Sequence, residues 1–302
     1  MTCQRQTCMC GESGRSAGVR AEEPTLVVLS APKLDGLRER LDADTAGVEC
    51  ADMAEVGANP ARIIPAWREF VDRHAGRRLR GVGEPIWADR DPAELVECQR
   101  HESLLNLAFE SSAGFQLICP YDASRLDREV LEEACRSHPL VSWAGPAQQS
   151  GDYRGLEAVA APHAEPLPEP PPEAESCSFD QHGLSALRRL VASRAADAGF
   201  STEMAEDLEL AVDEVASNSV THGGGDGVFK IWREGKALIC EVADRGMIEG
   251  PLVGREAPSA GQRGGYGLWL ANQLCDLVQI RTFPSGSVVR LHMRRARRAP
   301  RA

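Results

Sequence analysis

Short apolar runs alternate with longer amphipathic segments over the first half of the chain. "TLVVL" (25–29) has the length and β-branched content of a buried strand, and the helical pattern of "PKLDGLRERL" follows it. "VECAD" (48–52) is a second strand candidate. Asn59 and Pro60 then offer a cap and a first-turn proline for a helix through "ARIIPAWREFVDRHAG". Gly76 should close that helix, and Pro65 should kink or break its first turns. Further strands are predicted at "LRGVG" (79–83) and "FQLIC" (115–119). Asp91-Pro92 opens a long helix, "AELVECQRHESLLNLAF", and another helix covers 127–137. Strand and helix in alternation predict an α/β domain with a mostly parallel sheet covered by helices.

The pattern stops between residues 150 and 178, "SGDYRGLEAVAAPHAEPLPEPPPEAESC", where prolines remove backbone donors and fix extended dihedrals. Domains should fold on either side of this linker. Beyond it the pattern changes. "FDQHGLSALRRLVASRAADAG" is amphipathic, with Leu184, Leu187, Leu190 and Val191 on one face and Gly199 as its stop. A second helix, 203–222, buries Leu208, Val212 and Val215 and carries a polar stripe of Glu214, Asn218 and His222. "GVFKIWREG" and "KALICEVADRG" read as a hairpin ending on Asp244-Arg245-Gly246. A stretch rich in Gly, Pro and Ala follows (247–263). "GGYGLWLANQLCD" then starts a helix on glycines, and "LVQIRTFPSGSVVRLHM" supplies two final strands. The expected division is an N-terminal segment 1–24, a first domain 25–145, a linker 146–178, a second domain 179–293 and a basic tail 294–302.

Charge narrows the partners. Acidic residues outnumber basic ones by 45 to 34, a net charge of -11, which disfavours nucleic acid as a partner. The arginines after residue 293 are read as a solvated tail. No apolar run has the length of a membrane span, and the N-terminus lacks the apolar core of a signal peptide. A cytoplasmic, membrane-free protein is expected, with its ten cysteines reduced rather than forming a disulfide framework. Cys3, Cys8 and Cys10 have no matching second pair and are read as part of a mobile tail.

In a parallel sheet ligands sit outside the carboxyl ends of the strands. Those ends carry Asp52, then Glu84 and Trp87, then Tyr121 and Asp122, a candidate small-molecule pocket. The alternative is that the two aspartates cap loops and Trp87 covers the sheet. Cys98, His101 and Glu102 have the spacing of metal ligands on one helix, but without a partner cluster a structural role is expected.

Three stretches of this half, "ECADMAEVGANPARIIPAWREF", "GVGEPIWADRDPAELVECQRHESLLNLAF" and "QLICPYDASRLDREVLEEACRSHP", together resemble the sensory (MEDS) domain named for methanogens and methylotrophs, a relative of RecA-like folds. The resemblance spans 25 to about 140. It implies small-molecule sensing, while the absence of GxxxxGK[ST] removes any expectation of ATP there. Members normally begin with a further helix opened by a histidine; this chain has a Cys-rich and Gly-rich stretch in its place.

In the second half a helix with Glu-x-x-x-Asn, a strand-end Asp-x-Gly and the helix-opening Gly265-Tyr266-Gly267-Leu268 occur in that order. Glycines at a helix start let backbone N–H groups approach phosphate, and the helix dipole favours negative charge. Jointly the motifs resemble the ATPase family of gyrase, histidine kinases and the heat-shock and mismatch-repair ATPases, whose Bergerat fold is an α+β two-layer sandwich. The resemblance covers roughly 179–293 and implies ATP and Mg²⁺ as cofactors. Asn218 would hold Mg²⁺, Glu214 would orient or deprotonate the attacking group, and Asp244 would accept from the adenine amino group, with Gly246 leaving room for the base. Gly265, Gly267 and Leu268 belong to the phosphate loop beneath a lid of 247–263. Arg263 is either a phosphate clamp or a surface residue, and Ser287 stands where many members have threonine beside the adenine. His222 is a dipole-stabilising end residue.

No phosphoaccepting histidine lies on a dimerising hairpin ahead of this domain, so "ELAVDEVASNSVTHG" and "GYGLWLANQLCDLVQIRT" resemble most closely the anti-sigma-factor serine kinases. That branch implies a sigma factor or its antagonist as partner, phosphorylation on serine and a homodimer. A nucleotide-gated binding module and an atypical histidine kinase are the alternatives.

Overall fold

The computed structural model describes residues 7–10, 23–40, 47–112, 114–143, 145–155, 159, 165–258 and 265–295. The chain forms two compact units, Met1–Pro162 with Ala299–Ala302, and His163–Arg298.

The first unit runs β1 (Thr7–Cys10), β2 (Thr25–Leu29), α1 (Ala31–Arg38), β3 (Val48–Asp52), α2 (Met53–Val56), a 3₁₀ turn (Pro60–Arg62), α3 (Ile63–Arg73), β4 (Leu79–Gly83), α4 (Pro92–Ala108), β5 (Phe115–Pro120), α5 (Arg128–Ser137), β6 (Leu140–Trp143) and β7 (Gln148–Gln149). Its sheet has the order β3-β2-β4-β5-β1-β6-β7. Every pairing is parallel except β6 with β7. All five residues of β2 are buried, as a strand covered on both faces requires. Asn59 accepts from the Ala61 amide at 2.9 Å and opens the 3₁₀ turn. The α-helix begins only at Ile63, so Pro65 falls in its first turn, where no intrahelical N–H is needed. Helix α3 buries Ile63, Ile64, Trp67 and Phe70. The Trp67 ring lies so close to β4 that a Cβ at Gly81 would stand 2.9 Å from it and one at Gly83 2.8 Å. The glycines of "LRGVG" make room for an indole.

The second unit runs β8 (Glu175–Asp180), α6 (Leu184–Asp197), α7 (Thr202–His222), β9 (Asp226–Glu234), β10 (Ala237–Asp244), α8 (Tyr266–Leu274), β11 (Leu277–Phe283) and β12 (Gly286–Arg294). Its sheet, β11-β12-β10-β9-β8, is antiparallel throughout. One face packs on the helices: Phe229, Ile231, Leu238, Cys240, Val242, Val289, Leu291 and Met293 meet Leu187 and Val191 of α6, Leu208, Val212 and Val215 of α7, and Leu268 of α8. The opposite face holds Glu241, Arg290, Gln279 and His292, all buried. Arg290 donates to Glu241 through Nε at 2.9 Å and to the Pro168 carbonyl at 2.7 Å, and its guanidinium stacks over Trp232. Part of the proline-rich segment thus lies against this face.

The α/β class expected from the patterning and the α+β class implied by the resemblance are observed, and four local readings change. Thr7–Cys10, expected in a mobile tail, is a strand paired between β5 and β6, with Cys8 level with Cys119. Backbone pairing does not require the apolar run that sequence patterning looks for. The residues expected in the linker include β7 and most of β8, an edge strand whose side chains are exposed or half-buried apart from Phe179. The short β6 was not foreseen, being only four residues. Arg294 belongs to β12, its amide donating to Asp276 at 2.7 Å, rather than to a tail. Cys3 and residues 296–302 lie outside the described residues.

His292 generates a pH prediction. Burial, reinforced by Arg290 and Arg294, pushes its pKa from 6.5 down to about 3. The imidazole is therefore neutral in the folded unit, hydrogen-bonded to Gln279 at 3.0 Å. Between pH 6.5 and about 3 the unfolded chain binds a proton that the folded chain refuses. Stability is then full above 6.5 and falls as the pH drops through that window, by on the order of a few kcal/mol. Thermal unfolding of the full chain at stepped pH should show this acid slope, and His292→Asn should flatten it; equal slopes in both proteins would remove His292 as its source.

Candidate nucleotide-binding site

Helix α7 begins at Ser201, whose hydroxyl accepts from the Met204 amide at 3.3 Å, and ends on Gly223, whose amide donates to Ser219 at 2.8 Å. Leu208, Ala211, Val212, Val215, Ala216 and Ser219 are its buried face. Glu214 and Asn218, one turn apart, are half-buried on the neighbouring face. Helix α8 starts against them. Gly265 caps it in the left-handed region, φ 88°, which a side chain would resist. Two residues on, a Cβ added to Gly267 would lie 2.8 Å from Asn218 Nδ2 and 3.0 Å from Glu214 Oε2. The backbone at the head of α8 is thus in direct reach of both polar groups. Leu268 turns the other way into the core.

The second part of the site forms where β10 ends. Asp244 is half-buried and held through both oxygens: Ser219 Oγ donates to Oδ2 at 2.6 Å, and the Gly246 amide donates to Oδ1 at 2.7 Å. Each carboxylate oxygen retains a second lone pair for a further donor. Gly246 lies on the end of α7, where a Cβ would stand 2.7 Å from Gly223 Cα and 2.8 Å from the His222 carbonyl. Ser287 pairs with Asp244 across the sheet and is buried. Its Oγ donates to the Gly246 carbonyl at 2.9 Å, accepts from the Ile248 amide at 3.2 Å and lies 2.9 Å from Thr282 Oγ1. Ser287 therefore braces the turn that follows Asp244. Arg245 leaves the site and pairs with Asp226, donating also to the Gly224 carbonyl at 3.2 Å.

The structure thus brings Gly267, two residues after Gly265, onto Glu214 and Asn218 in the C-terminal half of α7, and Asp244, Gly246 and Ser287 together at that helix's C-terminal end. The expected lid is held near its middle, where Asn272 donates to the Gly254 carbonyl at 2.9 Å and to the Leu268 carbonyl at 3.1 Å. Arg263 lies outside the described residues. Sequence reasoning missed Ser219 and Thr282. A serine directly after Asn218 on a helix otherwise apolar on that side was the available signal.

In the first unit the strand-end residues each meet a local partner. Asp52 caps α2, accepting from Ala54 at 2.8 Å. Trp87 lies under the Arg90 guanidinium, 4.2 Å from its ring centre. Glu84, buried, binds Lys33 at 2.5 and 2.6 Å. Asp122 turns back on Ser124, whose hydroxyl at 2.6 Å is the largest cause holding its carboxyl below the usual range, with Lys33 and Arg125 adding to it. Tyr121 is buried, its ring edge-on to His138 at 5.8 Å. Lys33, which sequence reasoning passed over, is the ion-pair partner of Glu84 and adds a longer-range attraction at Asp122.

An antiparallel sheet covered by helices, with an acidic strand end and a glycine-started helix converging on one helix, defines a Bergerat-type ATPase domain. Two family models match the chain. Residues 177–293 match the histidine kinase-like ATPase domain, and residues 15–139 match the methanogen/methylotroph, DcmR sensory domain, MEDS. The chain carries a MEDS domain followed by a histidine kinase-like ATPase domain. No curated protein matches it. Among solved structures, the RsbU and RsbW domains of Rv1364c from Mycobacterium tuberculosis are 21% identical, over 44% of this chain and 35% of that one, with a TM-score of 0.32. This chain thus spans about a third of that chain's length. Among the described residues no helix is long and apolar enough to cross a membrane.

Two substitutions test the geometry. Gly286, φ 137°, opens β12, and a Cβ there would stand 1.9 Å from the Asp244 carbonyl. Gly286→Ala should destabilise the second unit by about 1–3 kcal/mol, read as a lowered melting temperature; an unchanged melting curve would contradict the close approach. Gly267→Val should leave the circular dichroism spectrum intact and weaken binding of a fluorescent ATP analogue by at least about tenfold, because the branched side chain fills the space above Glu214 and Asn218.

Proposed function

We propose that this protein is a signalling regulator whose C-terminal domain binds Mg²⁺-ATP and phosphorylates a partner protein on serine. The N-terminal domain is the sensory half, responding to a small molecule. The observation that carries the reading is the approach of Gly267 to Glu214, with the carboxylate 3.0 Å from where a Cβ would be. A carboxylate facing the glycine-opened helix start is placed to take the proton of an attacking hydroxyl. A site that only stored nucleotide has no need of it.

The remaining residues divide the work. Asp244, fixed by Ser219 and Gly246, accepts from the exocyclic amine of the base. Gly246 keeps the space beside that carboxylate free. Gly265 and Gly267 leave the first amides of α8 open to phosphate oxygens. Asn218 offers its amide oxygen, a hard donor suited to a hard cation. Mg²⁺, when bound, neutralises charge on the phosphates and on the group being transferred. Arg263 is assigned the clamp at the end of the lid. Ser287 acts on the nucleotide through the loop it braces. The partner is the class implied by the anti-sigma-factor kinase resemblance, a sigma factor or its protein antagonist, bound by a homodimer.

Transfer of label from γ-labelled ATP to proteins of a native-host extract tests the reading. Wild type should produce an acid-stable phosphoserine band, and Glu214→Ala should lose it by more than about a hundredfold while still binding nucleotide. An acid-labile product would point to histidine phosphorylation. Absence of any wild-type-dependent label, with ATP binding intact, would leave a nucleotide-gated binding module.

A further inference from the structure

Inside the first unit three reactive side chains from three elements converge: Glu102 of α4, Cys119 of β5 and His138 at the end of α5. None is more than 1% exposed. Their ligand atoms all lie within 4.8 Å of one another. The mechanism above uses none of them.

The imidazole is oriented as a metal ligand would be. His138 Nδ1 lies 2.8 Å from the Ala134 carbonyl oxygen. A carbonyl can only accept, so Nδ1 carries the hydrogen. Nε2 is thereby turned inward, 3.1 Å from Glu102 Oε2. Anchoring one ring nitrogen on a backbone carbonyl while the other faces an anionic group is the arrangement that presents a histidine lone pair to a cation. Tyr121, edge-on to the ring, fixes its other side.

Thiol, imidazole and carboxylate are the donor types that bind Zn²⁺. Charge points the same way. One thiolate and one carboxylate neutralise a dication, so the assembled site buries no net charge, whereas a carboxylate buried alone is costly. We propose that Glu102, Cys119 and His138 form a zinc site in the sensory unit, with a fourth position for water or a small donor ligand. On binding, the Cys119 S–H bond is replaced by a sulfur–metal bond and the proton goes to solvent; a proton on His138 Nε2 leaves likewise, and no electrons are exchanged.

Cobalt substitution in the full chain tests this independently of any phosphotransfer. After chelator treatment, Co²⁺ should bind with a thiolate-to-cobalt charge-transfer band and tetrahedral visible absorption, and Zn²⁺ should bleach both. Cys119→Ser should abolish the charge-transfer band, and His138→Gln and Glu102→Gln should weaken Co²⁺ binding more than about tenfold. Cys98→Ser, on the same helix as Glu102, should keep the band. Absence of the band from the wild-type chain overturns the proposal without recourse to any variant. A band that survives in Cys119→Ser, or vanishes in Cys98→Ser, places the sulfur ligand elsewhere and overturns it too.

Discussion

The second unit depends on how closely backbone can approach one face of α7. That helix buries Leu208, Val212 and Val215 against the sheet, which fixes its rotation and leaves Glu214 and Asn218 on the adjoining face. A polar pair beside a core would ordinarily be flanked by side chains of the next element. Here the next element is the start of α8, and it presents Gly267, with no atom beyond Cα to fill the gap. At the C-terminal end of α7 the same condition recurs with Gly246 over Gly223 and the His222 carbonyl. The helix is therefore approached by main chain at both places, and at the second the Gly246 amide donates to Asp244.

The position of Asp244 follows from that packing. The carboxylate hangs at the end of β10, where an exposed side chain would sample several rotamers. Ser219 reaches it from the buried face of α7, and the Gly246 amide reaches it from the following turn. Ser287, one strand over, holds the same turn by its carbonyl and by Ile248. Three elements thus fix the position of one carboxylate. Removing Ser219 would leave Asp244 in place but looser, a change felt in orientation before stability.

Much of this was legible in the sequence. The spacing of Glu214 and Asn218 follows from helical geometry alone, and glycines at 265 and 267 signal close approach before any coordinates are known. The strands "TLVVL" and "LRGVG" were found to the residue because apolar runs of strand length between helical patterns leave few alternatives. What failed was structure held by pairing rather than by burial of a distinctive side-chain pattern. Strand β1 is four residues of mixed character, and β8 buries only Phe179. At the strand ends the aspartates Asp52 and Asp122 meet local backbone and hydroxyl donors, because a short polar side chain satisfies itself near its own backbone first.

The buried cluster of the first unit shows the same limit from the other side. Spacing along α4 suggested Cys98, His101 and Glu102 as a set, because i, i+3 and i+4 share a helix face. Convergence in space instead selects Glu102 alone from that helix and joins it to Cys119 and His138. Cys98 remains a neighbour on the same helix, with burial pushing its thiol up to about 12. The carboxyl of Glu102 goes the other way: despite its burial, His138 holds it below the ordinary range. A helix places its polar residues by period, but which of them becomes chemistry is decided by what the neighbouring strand and helix end bring to meet it. In this unit the backbone carbonyl of Ala134 makes that decision, by choosing which nitrogen of His138 faces Glu102.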